Sequence, residues 1–414
     1  MIFLYRIIFN LILIFSPLIF LVRLLKKKET LTSYKQKICL FNKRRQKGKL
    51  IWFHGASVGE IKSVIPMIEK LELNSEFKQI LITSNTISSS SIINNLNFKK
   101  TVHQFFPIDA NLLSNKFINF WKPSEVIFID SEIWPNTLQN LNRRKIPVFL
   151  LNARITKKTF KRWMLFKMFA KKIFSYFSVC YPANQETKNY LKNFNVKKIK
   201  FIGNIKYAQS KKEIELTNKD SKKKTKQNRN IWCAASTHYN EEVICGRSHI
   251  KLKNKTRNLL TIIIPRHIER SDQIKDDLEK LGLKVIIAKD FKNPSLDTDI
   301  MIVKAYGKTK IFFENSPIVF LGGSLINHGG QNPLEATRSG CNIIHGPNIH
   351  NFKEIYNFLN KLKISHKVTN EKNLTLKLVD LFNKKNRSNN NYLKLKSIGS
   401  QILKSYYNDI ILKG

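Results

Sequence analysis

Cysteine and acidic residues are both scarce in this chain of 414 residues. The five cysteines contain no CxxC pair and are odd in number. That pattern disfavours a disulfide framework and a structural zinc site, and it favours a reducing compartment. Asp and Glu together number 29, against 73 Lys and Arg, which gives a formal charge of +44. This balance excludes an acidic-tail or halophile-like protein and predicts attraction to polyanions.

The charge alone does not show whether the polyanion is nucleic acid, anionic lipid or a phosphorylated substrate. Part of the charge has a simpler interpretation, because Lys, Asn and Ile are all abundant here and are all favoured by AT-rich codons. On that interpretation many of the lysines only cover solvated faces. The sequence contains no helix-turn-helix, zinc-finger or RNA-recognition signature. A dedicated nucleic-acid-binding protein is therefore disfavoured.

An apolar run of about 16 residues, Ile7–Val22, lies near the N-terminus. It is shorter than the ~20 residues of a comfortable membrane span. Arg6 precedes the run, and a basic cluster of Arg23 and Lys26–Lys28 follows it. A cleavable signal peptide is disfavoured, because no A-x-A site follows and the basic cluster would resist translocation. A short spanning anchor or an interfacial helix fits better, with the rest of the chain on the cytoplasmic side. A buried core helix is the alternative.

After residue 50, apolar runs alternate with longer amphipathic stretches. Continuous apolar strands separated by helices are typical of parallel sheets that are covered on both faces. The runs predicted to be strands are Leu50–Phe53, Ile80–Thr83, Val126–Ile129, Val148–Leu151, Ile231–Cys233, Leu260–Ile264, Lys284–Ala288, Ile318–Leu321 and Asn342–His345.

One polar, lysine-rich stretch, Lys211–Asn230, interrupts this alternation and predicts a linker. We therefore expect a membrane anchor with its basic flank over residues 1–34 and a first α/β domain over 35–210. The linker would cover 211–230, and a second α/β domain would cover 231–414. Two Rossmann-like domains that face one another place a crevice between their strand ends, where ligands usually bind.

Three polar side chains of the first half are candidates for site chemistry. Glu60, in the segment HGASVGE, lies in the first turn of a helix predicted to start near Ser57. Its carboxylate either accepts a proton at the crevice or only complements the helix dipole. Asp130, directly after the strand VIFI, is either a site acid or an N-cap of the next helix. Lys206, in GNIK, either neutralises a developing negative charge or is one more solvated lysine.

Two short segments of the second half are typical of anion sites. The segment ASTH, which ends at His238, predicts a turn from strand to helix. Free N–H groups of such a turn suit an anion, and a plain helix cap is the alternative. Pro265 and Arg266 follow the strand LTIII. Arg266 would project at the strand end, either for bidentate contact with a phosphate or as a solvated side chain.

The strongest signal is a glycine-rich segment, GGSL followed by HGGQNPLE, within residues 322–335. It lies between a strand and a helix whose first turn contains Pro333. We expect this loop to offer bare N–H groups to a phosphate, while Glu335 accepts hydrogen bonds from ribose hydroxyls. The pattern is neither GxGxxG nor a Walker loop, which disfavours dinucleotide oxidoreductases and P-loop ATPases. A glycine-rich turn without a ligand is the alternative.

Taken in order along the chain, several segments resemble one family, the 3-deoxy-D-manno-octulosonic acid (Kdo) transferases of lipopolysaccharide assembly. These segments are SVGE, SEIWPN, NAR, GNIK, ASTH, PRH, GGSL, GGQNPLE and NF, and the resemblance runs from the anchor to about residue 355. It implies an α/β chain of GT-B glycosyltransferase fold. Such a chain has two Rossmann-like domains that face an inter-domain crevice, with a short N-terminal membrane-anchor helix.

The resemblance also implies roles for individual residues. Glu60 matches the catalytic base, and Asp130 and Lys206 match two positions that stabilise the transition state. The residues that match the CMP-binding segments are Pro265, Arg266, Tyr306, Gly307, Lys308, Asn332, Pro333, Leu334 and Glu335.

Four positions depart from the pattern of the family. Asp130 stands where Glu is usual, which shortens the side chain by one methylene, and Gln331 replaces a His. Lys304 and Lys308 replace an Asp and a Glu in the third CMP-binding segment. Gly307 is therefore the clearest match in that segment.

The function that the resemblance implies is transfer of Kdo from CMP-Kdo to a lipid A precursor, lipid IVA, with inversion and without a metal or other cofactor. The expected partners are this donor, this acceptor and an anionic membrane surface, with no nucleic acid. The expected location is the cytoplasmic face of the inner membrane. Two alternatives stay open: another envelope GT-B glycosyltransferase that uses a UDP-sugar, and a non-catalytic, membrane-attached protein that binds polyanions.

Overall fold

The computed structural model describes residues 1–40, 43–212, 229–291, 294–307, 309–384 and 389–412. The chain forms two compact units, the first from Met1–Glu215 with Ile398–Gly414 and the second from Leu216–Ser397. Each unit contains one parallel sheet, as the alternation of apolar runs predicts. Most of the predicted linker, 213–228, lies outside the described residues.

The first unit contains a six-stranded parallel sheet with the order β3-β2-β1-β4-β5-β6. Four of its strands were predicted from apolar runs. The other two carry weaker signals, since β3 contains the polar residues His103 and Gln104 and β6 has four residues and ends in Pro182. The strands are β1 (Lys49–His54), β2 (Phe77–Ser84), β3 (Thr101–Phe105), β4 (Glu125–Ile129), β5 (Val148–Ala153) and β6 (Val179–Pro182).

The helices of the first unit include an N-terminal helix that is longer than the predicted apolar run. This helix, α1, has 24 residues, and among the described residues it is the one helix long and apolar enough to cross a membrane. The helices are α1 (Ile2–Leu25), α2 (Leu31–Lys37), α3 (Val58–Glu72), α4 (Ile87–Asn95), α5 (Asn111–Trp121), α6 (Pro135–Arg143), α7 (Lys157–Met164), α8 (Lys167–Phe174) and α9 (Gln185–Leu191).

Both faces of this sheet are covered. Leu50 and Trp52 of β1 share a buried cluster with side chains of α5, α6 and α8. Ile51 and Phe53 alternate with them, so they point to the opposite face, and they too are fully buried. Burial on both faces explains why the strands read as continuous apolar runs. It also leaves the carboxyl edge of the sheet as the place where polar side chains can gather.

The second unit contains a seven-stranded parallel sheet with the order β13-β12-β11-β7-β8-β10-β9. Its strands are β7 (Asn230–Thr237), β8 (Leu259–Pro265), β9 (Val285–Ala288), β10 (Ile300–Val303), β11 (Ile318–Leu321), β12 (Asn342–His345) and β13 (Ser365–Lys367). Its helices are α10 (Glu241–Lys253), α11 (Ser271–Glu279), α12 (Thr309–Glu314), α13 (Leu334–Arg338), α14 (Lys353–Lys361) and α15 (Glu371–Asn383). The C-terminal helix, α16 (Asn389–Ile410), follows.

The expected second domain, 231–414, differs from the observed unit at its end, because residues from 398 onward pack on the first unit. The Tyr406 hydroxyl donates to the Gly203 carbonyl oxygen at 2.7 Å, and the Tyr181 hydroxyl donates to Asp409 at 2.8 Å. Gly399 lies so close to the backbone of Tyr207 that a Cβ atom would come within 2.3 Å of the Tyr207 oxygen. These contacts hold the turn of Gly203–Tyr207, which contains Lys206, against the end of the chain.

A valine at position 399 should therefore destabilise the first unit. We expect Gly399→Val to lower the free energy of unfolding by about 1–3 kcal/mol, because the added side chain overpacks the contact with Tyr207. Urea unfolding followed by circular dichroism measures the change. The control is Ser400→Val, an exposed position on the same helix, which should leave the unfolding midpoint nearly unchanged. Equal midpoints for the two variants would show that the contact is not tight.

Candidate active site

Glu60 lies in the first turn of α3, directly after the carboxyl end of β1. Ser57 caps this helix, since the Glu60 N–H donates to Ser57 Oγ at 3.4 Å and Ser57 Oγ donates to Glu60 Oε1 at 2.9 Å. The Ala56 N–H donates to Glu60 Oε2 at 2.7 Å. The side chain is half-buried. The carboxylate therefore lies at the edge of the sheet, where a ligand can reach it.

The pKa of the Glu60 carboxyl is raised above its ordinary value. Burial is the main cause, and the negative charges of Glu132 and Asp130 add to it. The hydrogen bonds from Ser57 and the Ala56 N–H act in the opposite direction. A raised pKa makes the ionised carboxylate a better proton acceptor near neutral pH.

Asp130 follows β4, the strand next to β1 in the sheet, and it pairs with Lys206. Lys206 Nζ lies 3.0 Å from Asp130 Oδ2. Asp130 has a φ of 63°, an uncommon conformation for a non-glycine residue, which aims its side chain away from the strand direction. The alternative role of Asp130 as a helix N-cap is wrong, because α6 begins at Pro135 and Trp134 occupies its cap position.

Glu132 is held by two aromatic donors. His54 Nε2 lies 3.0 Å from Glu132 Oε2, and Trp134 Nε1 donates to the same oxygen at 2.9 Å. The His54 ring is fully buried, and its Nδ1 lies 2.9 Å from Thr83 Oγ1. These contacts fix the Glu132 carboxylate near Glu60, where its charge raises the pKa of Glu60.

The second unit brings the predicted CMP-binding segments to neighbouring strand ends. The Tyr306 hydroxyl donates to Glu269 Oε1 at 3.1 Å, which joins the loop of Gly307 to the loop that follows Arg266. Thr309 Oγ1 donates to Glu335 Oε1 at 2.7 Å, which joins the same loop to α13. The residues of these segments that the structure describes are Pro265, Arg266, Tyr306, Gly307, Asn332, Pro333, Leu334 and Glu335, whereas Lys308 lies outside the described residues.

The structure of the glycine bend, Gly322–Leu325, differs from the expectation that its N–H groups are bare. Its N–H groups are not bare, because Gly323, Ser324 and Leu325 all donate to the carboxylate of Glu241, at 2.7 Å, 3.1 Å and 3.0 Å. The His238 N–H donates to the same carboxylate at 3.0 Å. Glu241 is fully buried, and a buried carboxylate needs such donors. These four N–H groups are therefore not free to bind a phosphate, as the expectation for this bend required.

His238 lies over this bend and carries an unsatisfied polar atom. Its Nε2 is buried and has no hydrogen-bond partner within the described part of the chain. Its ring lies 4.1 Å from the ring of His328, centroid to centroid. Burial, with the neighbouring His328, lowers the pKa of His238 to about 4, so its ring is neutral at neutral pH.

Comparison with known proteins decides the family. Residues 32–209 match the family model of 3-deoxy-D-manno-octulosonic-acid transferase (kdotransferase). The 3-deoxy-D-manno-octulosonic acid transferase of Haemophilus influenzae is 32% identical over 75% of this chain and 73% of that enzyme. The enzyme of the same name from Rickettsia felis is 32% identical over 87% of this chain and 76% of that enzyme. The chain belongs to this family. It is a glycosyltransferase.

The fold of this Kdo transferase agrees with its family. A glycosyltransferase from Rickettsia africae is similar in structure, with a TM-score of 0.56 and 13% identity, over 89% of this chain and all of that protein. Together with the two parallel sheets, this likeness confirms the GT-B class and the two Rossmann-like units. Among the described residues, no group of three or more His, Cys, Asp or Glu side chains is placed to hold a metal ion.

The structure also shows how the departures from the family pattern are accommodated. Lys304, which stands where Asp is usual, pairs with Asp272 of α11 at 2.7 Å. The side chain thus adds a tie between the Gly307 loop and α11. The backbone oxygen of Gln331 accepts a hydrogen bond from the buried Tyr356 hydroxyl at 2.9 Å, a contact that does not depend on the side chain at position 331.

Three further side chains near the candidate residues lie within segments noted from the sequence, but no role was predicted for them individually: His54, Glu132 and His238. His54 and His238 each stand at or just after the carboxyl end of a strand, β1 and β7. Glu132 follows β4 by three residues. Because the carboxyl ends of parallel strands meet at one edge, polar residues at these places were the available signal.

Removing the charge of Glu241 should loosen the glycine bend. We expect Glu241→Gln to lower the free energy of unfolding by about 2–4 kcal/mol, because one oxygen becomes an NH2 group that cannot accept hydrogen bonds from the buried N–H groups. Thermal unfolding of the full chain measures the change. The matched control, Glu279→Gln, alters an exposed acid of the same unit and should have no effect. A wild-type melting temperature for Glu241→Gln would contradict the structural role of this carboxylate.

Proposed function

We propose that this protein transfers Kdo from CMP-Kdo to a hydroxyl group of a lipid A precursor, lipid IVA, with inversion at the anomeric carbon and without a metal. Membership of the Kdo transferase family supports the transferred sugar. The placement of Glu60 is the structural observation that carries the mechanism. It is a half-buried carboxylate of raised pKa at the carboxyl edge of the first sheet.

In the proposed reaction, the Glu60 carboxylate takes the proton from a glucosamine hydroxyl of the acceptor. The hydroxyl oxygen forms a bond to the anomeric carbon of Kdo, while the bond from that carbon to the CMP phosphate oxygen breaks. CMP leaves with the electron pair of the broken bond. Attack from the face opposite the leaving group inverts the configuration.

The Lys206 ammonium group would stabilise the negative charge that develops on the leaving phosphate in this step, and Asp130 would position that ammonium group. The pair at 3.0 Å keeps the Lys206 ammonium group at the sheet edge, and the turn that carries it is held by the C-terminal helix. A preorganised cation acts most strongly where water is partly excluded. The shorter Asp130 side chain still reaches Lys206, so the replacement of the usual Glu is compatible with this role.

The CMP moiety would bind to the second unit, at the segments joined through Tyr306 and Glu335. Arg266 is exposed directly after β8 and offers a planar guanidinium to a phosphate. The backbone of the Gly307 loop and the α13 segment would contact the nucleoside. Because the N–H groups of the glycine bend serve Glu241, side chains such as Arg266 carry the phosphate contact in this proposal.

The acceptor is a lipid, so we place the reaction at the cytoplasmic face of the inner membrane. The apolar α1 supports membrane attachment. The basic residues that follow it, Arg23 and Lys26–Lys28, favour the cytoplasmic side. Each such residue near an anionic surface contributes roughly 1 kcal/mol of attraction.

Changing Glu60 to Gln should abolish transfer and leave CMP binding intact. We expect a loss of about a hundredfold to ten-thousandfold in turnover, because the amide cannot accept the proton. The assay combines CMP-Kdo with the tetra-acylated disaccharide acceptor and measures the mass of the product. Calorimetry with CMP checks the donor site, and Glu76→Gln, an exposed acid of the same unit, is the control. Wild-type turnover in the Glu60 variant would reject the role, and competition by UDP rather than CMP would favour a UDP-sugar donor.

Changing Glu132 to Gln should shift the pH dependence of transfer. Glu60 must be ionised to act, so activity falls as the pH drops below its pKa. The charge of Glu132 raises that pKa, and its removal lowers it. The acid limb of the profile of kcat/KM against pH should therefore move to lower pH. Glu186→Gln, an exposed acid on α9, should leave the limb in place. A limb that moves to higher pH would contradict the coupling.

A further inference from the structure

The hairpin of α7 and α8 exposes large apolar side chains to solvent at its tip. The exposed fraction is 76% for Leu165, 50% for Phe166 and 80% for Met168. No residue of α7 is buried. A cluster of three exposed apolar side chains marks a contact site for another apolar surface. We call residues 157–174 the basic hairpin.

The charge of the basic hairpin indicates the chemistry of that surface. Its sequence, KKTFKRWMLFKMFAKKIF, contains seven Lys and Arg residues and no acid. Basic residues around an apolar tip are complementary to an anionic bilayer, whose headgroups attract the cations while the acyl region accepts the apolar side chains. A protein partner of the same complementarity would need an acidic rim around an apolar pocket.

The hairpin is firmly supported by the first unit. Ala170, Ile173 and Phe174 of α8 are fully buried in the cluster under the sheet. The rings of Trp163 and Phe174 meet edge to face at 5.5 Å between centroids. The tip is thus held out from the unit by a rigid base, which lets an apolar tip insert without unfolding the helices.

The N-terminal helix α1 contacts the same unit at three places along its length. Near its start, Tyr5 donates to the buried Asp109 at 2.8 Å. Near its middle, the Ser16 and Tyr34 hydroxyls lie 3.1 Å apart. Near its end, Arg23 pairs with Glu29 at 3.2 Å. The side chains between these contacts, including Ile14 and Leu18, are exposed and apolar.

These contacts disfavour a helix that spans the bilayer. A spanning helix places its ends on opposite sides of about 30 Å of hydrocarbon. The two ends of α1 instead bind polar groups of one compact unit, through Tyr5 and Arg23. An α1 that lies in the plane of the interface keeps both contacts and presents its exposed face to the lipid.

The exposed face of α1 and the basic hairpin are joined through α6, which contacts both α1 and α8. Arg6 of α1 donates to Gln139 of α6 at 2.7 Å. The helices α1, α6 and α8 are therefore neighbours on one side of the sheet.

We propose that the basic hairpin is a second membrane-docking element, which inserts its tip into the interface of an anionic phospholipid bilayer beside an α1 that lies in the membrane plane. The proposal rests on the proposed function only in taking the membrane as the place where the protein works. On this proposal the protein binds to one leaflet, and the carboxyl edge of the first sheet lies at a fixed height above the lipid surface.

The first test measures the environment of the tip. In the full chain, Met168→Cys is labelled with the fluorophore NBD; the five native cysteines are buried, so the new thiol reacts first. Leu73→Cys is the control, because Leu73 is exposed at the end of α3, whose buried side chains are outside the cluster that holds α8. Vesicles of phosphatidylcholine with phosphatidylglycerol should shift the emission at position 168 to the blue and leave position 73 unchanged. No shift at 168, or equal shifts at both positions, overturns the proposal.

The second test measures binding without a label. We expect the double variant Leu165→Glu, Met168→Glu to float with anionic vesicles about tenfold less than the wild type, since buried apolar contact is lost and acids face anionic lipid. Leu73→Glu should float like the wild type. Equal flotation of all three proteins would overturn the proposal, as would a tip that responds to a protein fraction and not to pure lipid.

The third test distinguishes an α1 that lies flat from one that spans. NBD at Leu4→Cys and at Ile14→Cys should be quenched to the same extent by lipids that carry a quencher at shallow depth. A spanning α1 would instead place position 14 near the bilayer centre, and quenching there only by a deep quencher overturns the flat arrangement.

These vesicles contain neither CMP-Kdo nor acceptor, so the tests are independent of transfer. The Glu60→Gln variant should bind vesicles like the wild type. If transfer fails in the assay of the preceding subsection while the blue shift persists, the proposed function fails and the docking stands. If transfer proceeds and the shift is absent, the docking alone fails.

Discussion

Like charges gathered at one edge of a parallel sheet constrain the first unit more than any other feature. Glu60, Asp130 and Glu132 all stand at the ends of the adjacent strands β1 and β4. Carboxylates that share one edge repel one another, and the charges of Glu132 and Asp130 accordingly raise the pKa of Glu60. The unit resolves this repulsion by giving each carboxylate its own donors. Lys206 serves Asp130, His54 and Trp134 serve Glu132, and the capping loop serves Glu60.

The carboxylates of Asp130 and Glu60 have different hydrogen-bond donors, and this difference separates the roles of the two side chains. Asp130 has a cation within 3.0 Å, whereas Glu60 has only a hydroxyl and backbone N–H groups. Glu60 therefore keeps part of its repulsion and its desolvation, and its pKa is raised as a result. A carboxylate whose surroundings raise its pKa is a common arrangement for acid–base chemistry. The second unit shows the opposite case, in which Glu241 is fully satisfied by buried N–H groups and serves the fold.

Much of the fold was predictable, because strands buried on both faces must be apolar along their whole length. Four strands escaped prediction. Polar residues interrupt β3 and β13, as His103 and Ser365 show, whereas β6 and β10 are runs of only four residues. The sequence predicted which loops contain the candidate site residues, but it did not predict the contacts that those loops make. The glycine bend could be located from its glycines, but the partner of its N–H groups is Glu241, 82 residues away from Gly323, and no local pattern connects the two.

The contacts that position Lys206 are equally hard to predict, because they come from the C-terminal helix. Lys206 is one lysine among many in the sequence, and it becomes distinct only because its turn is clamped. Tyr406 binds the carbonyl of Gly203, and Gly399 lets the C-terminal helix reach the backbone of Tyr207. A cation that stabilises developing charge must be held before the reaction begins, since moving it afterwards costs reorganisation. The last residues of the chain thus hold the turn that carries Lys206 as well as packing on the first unit.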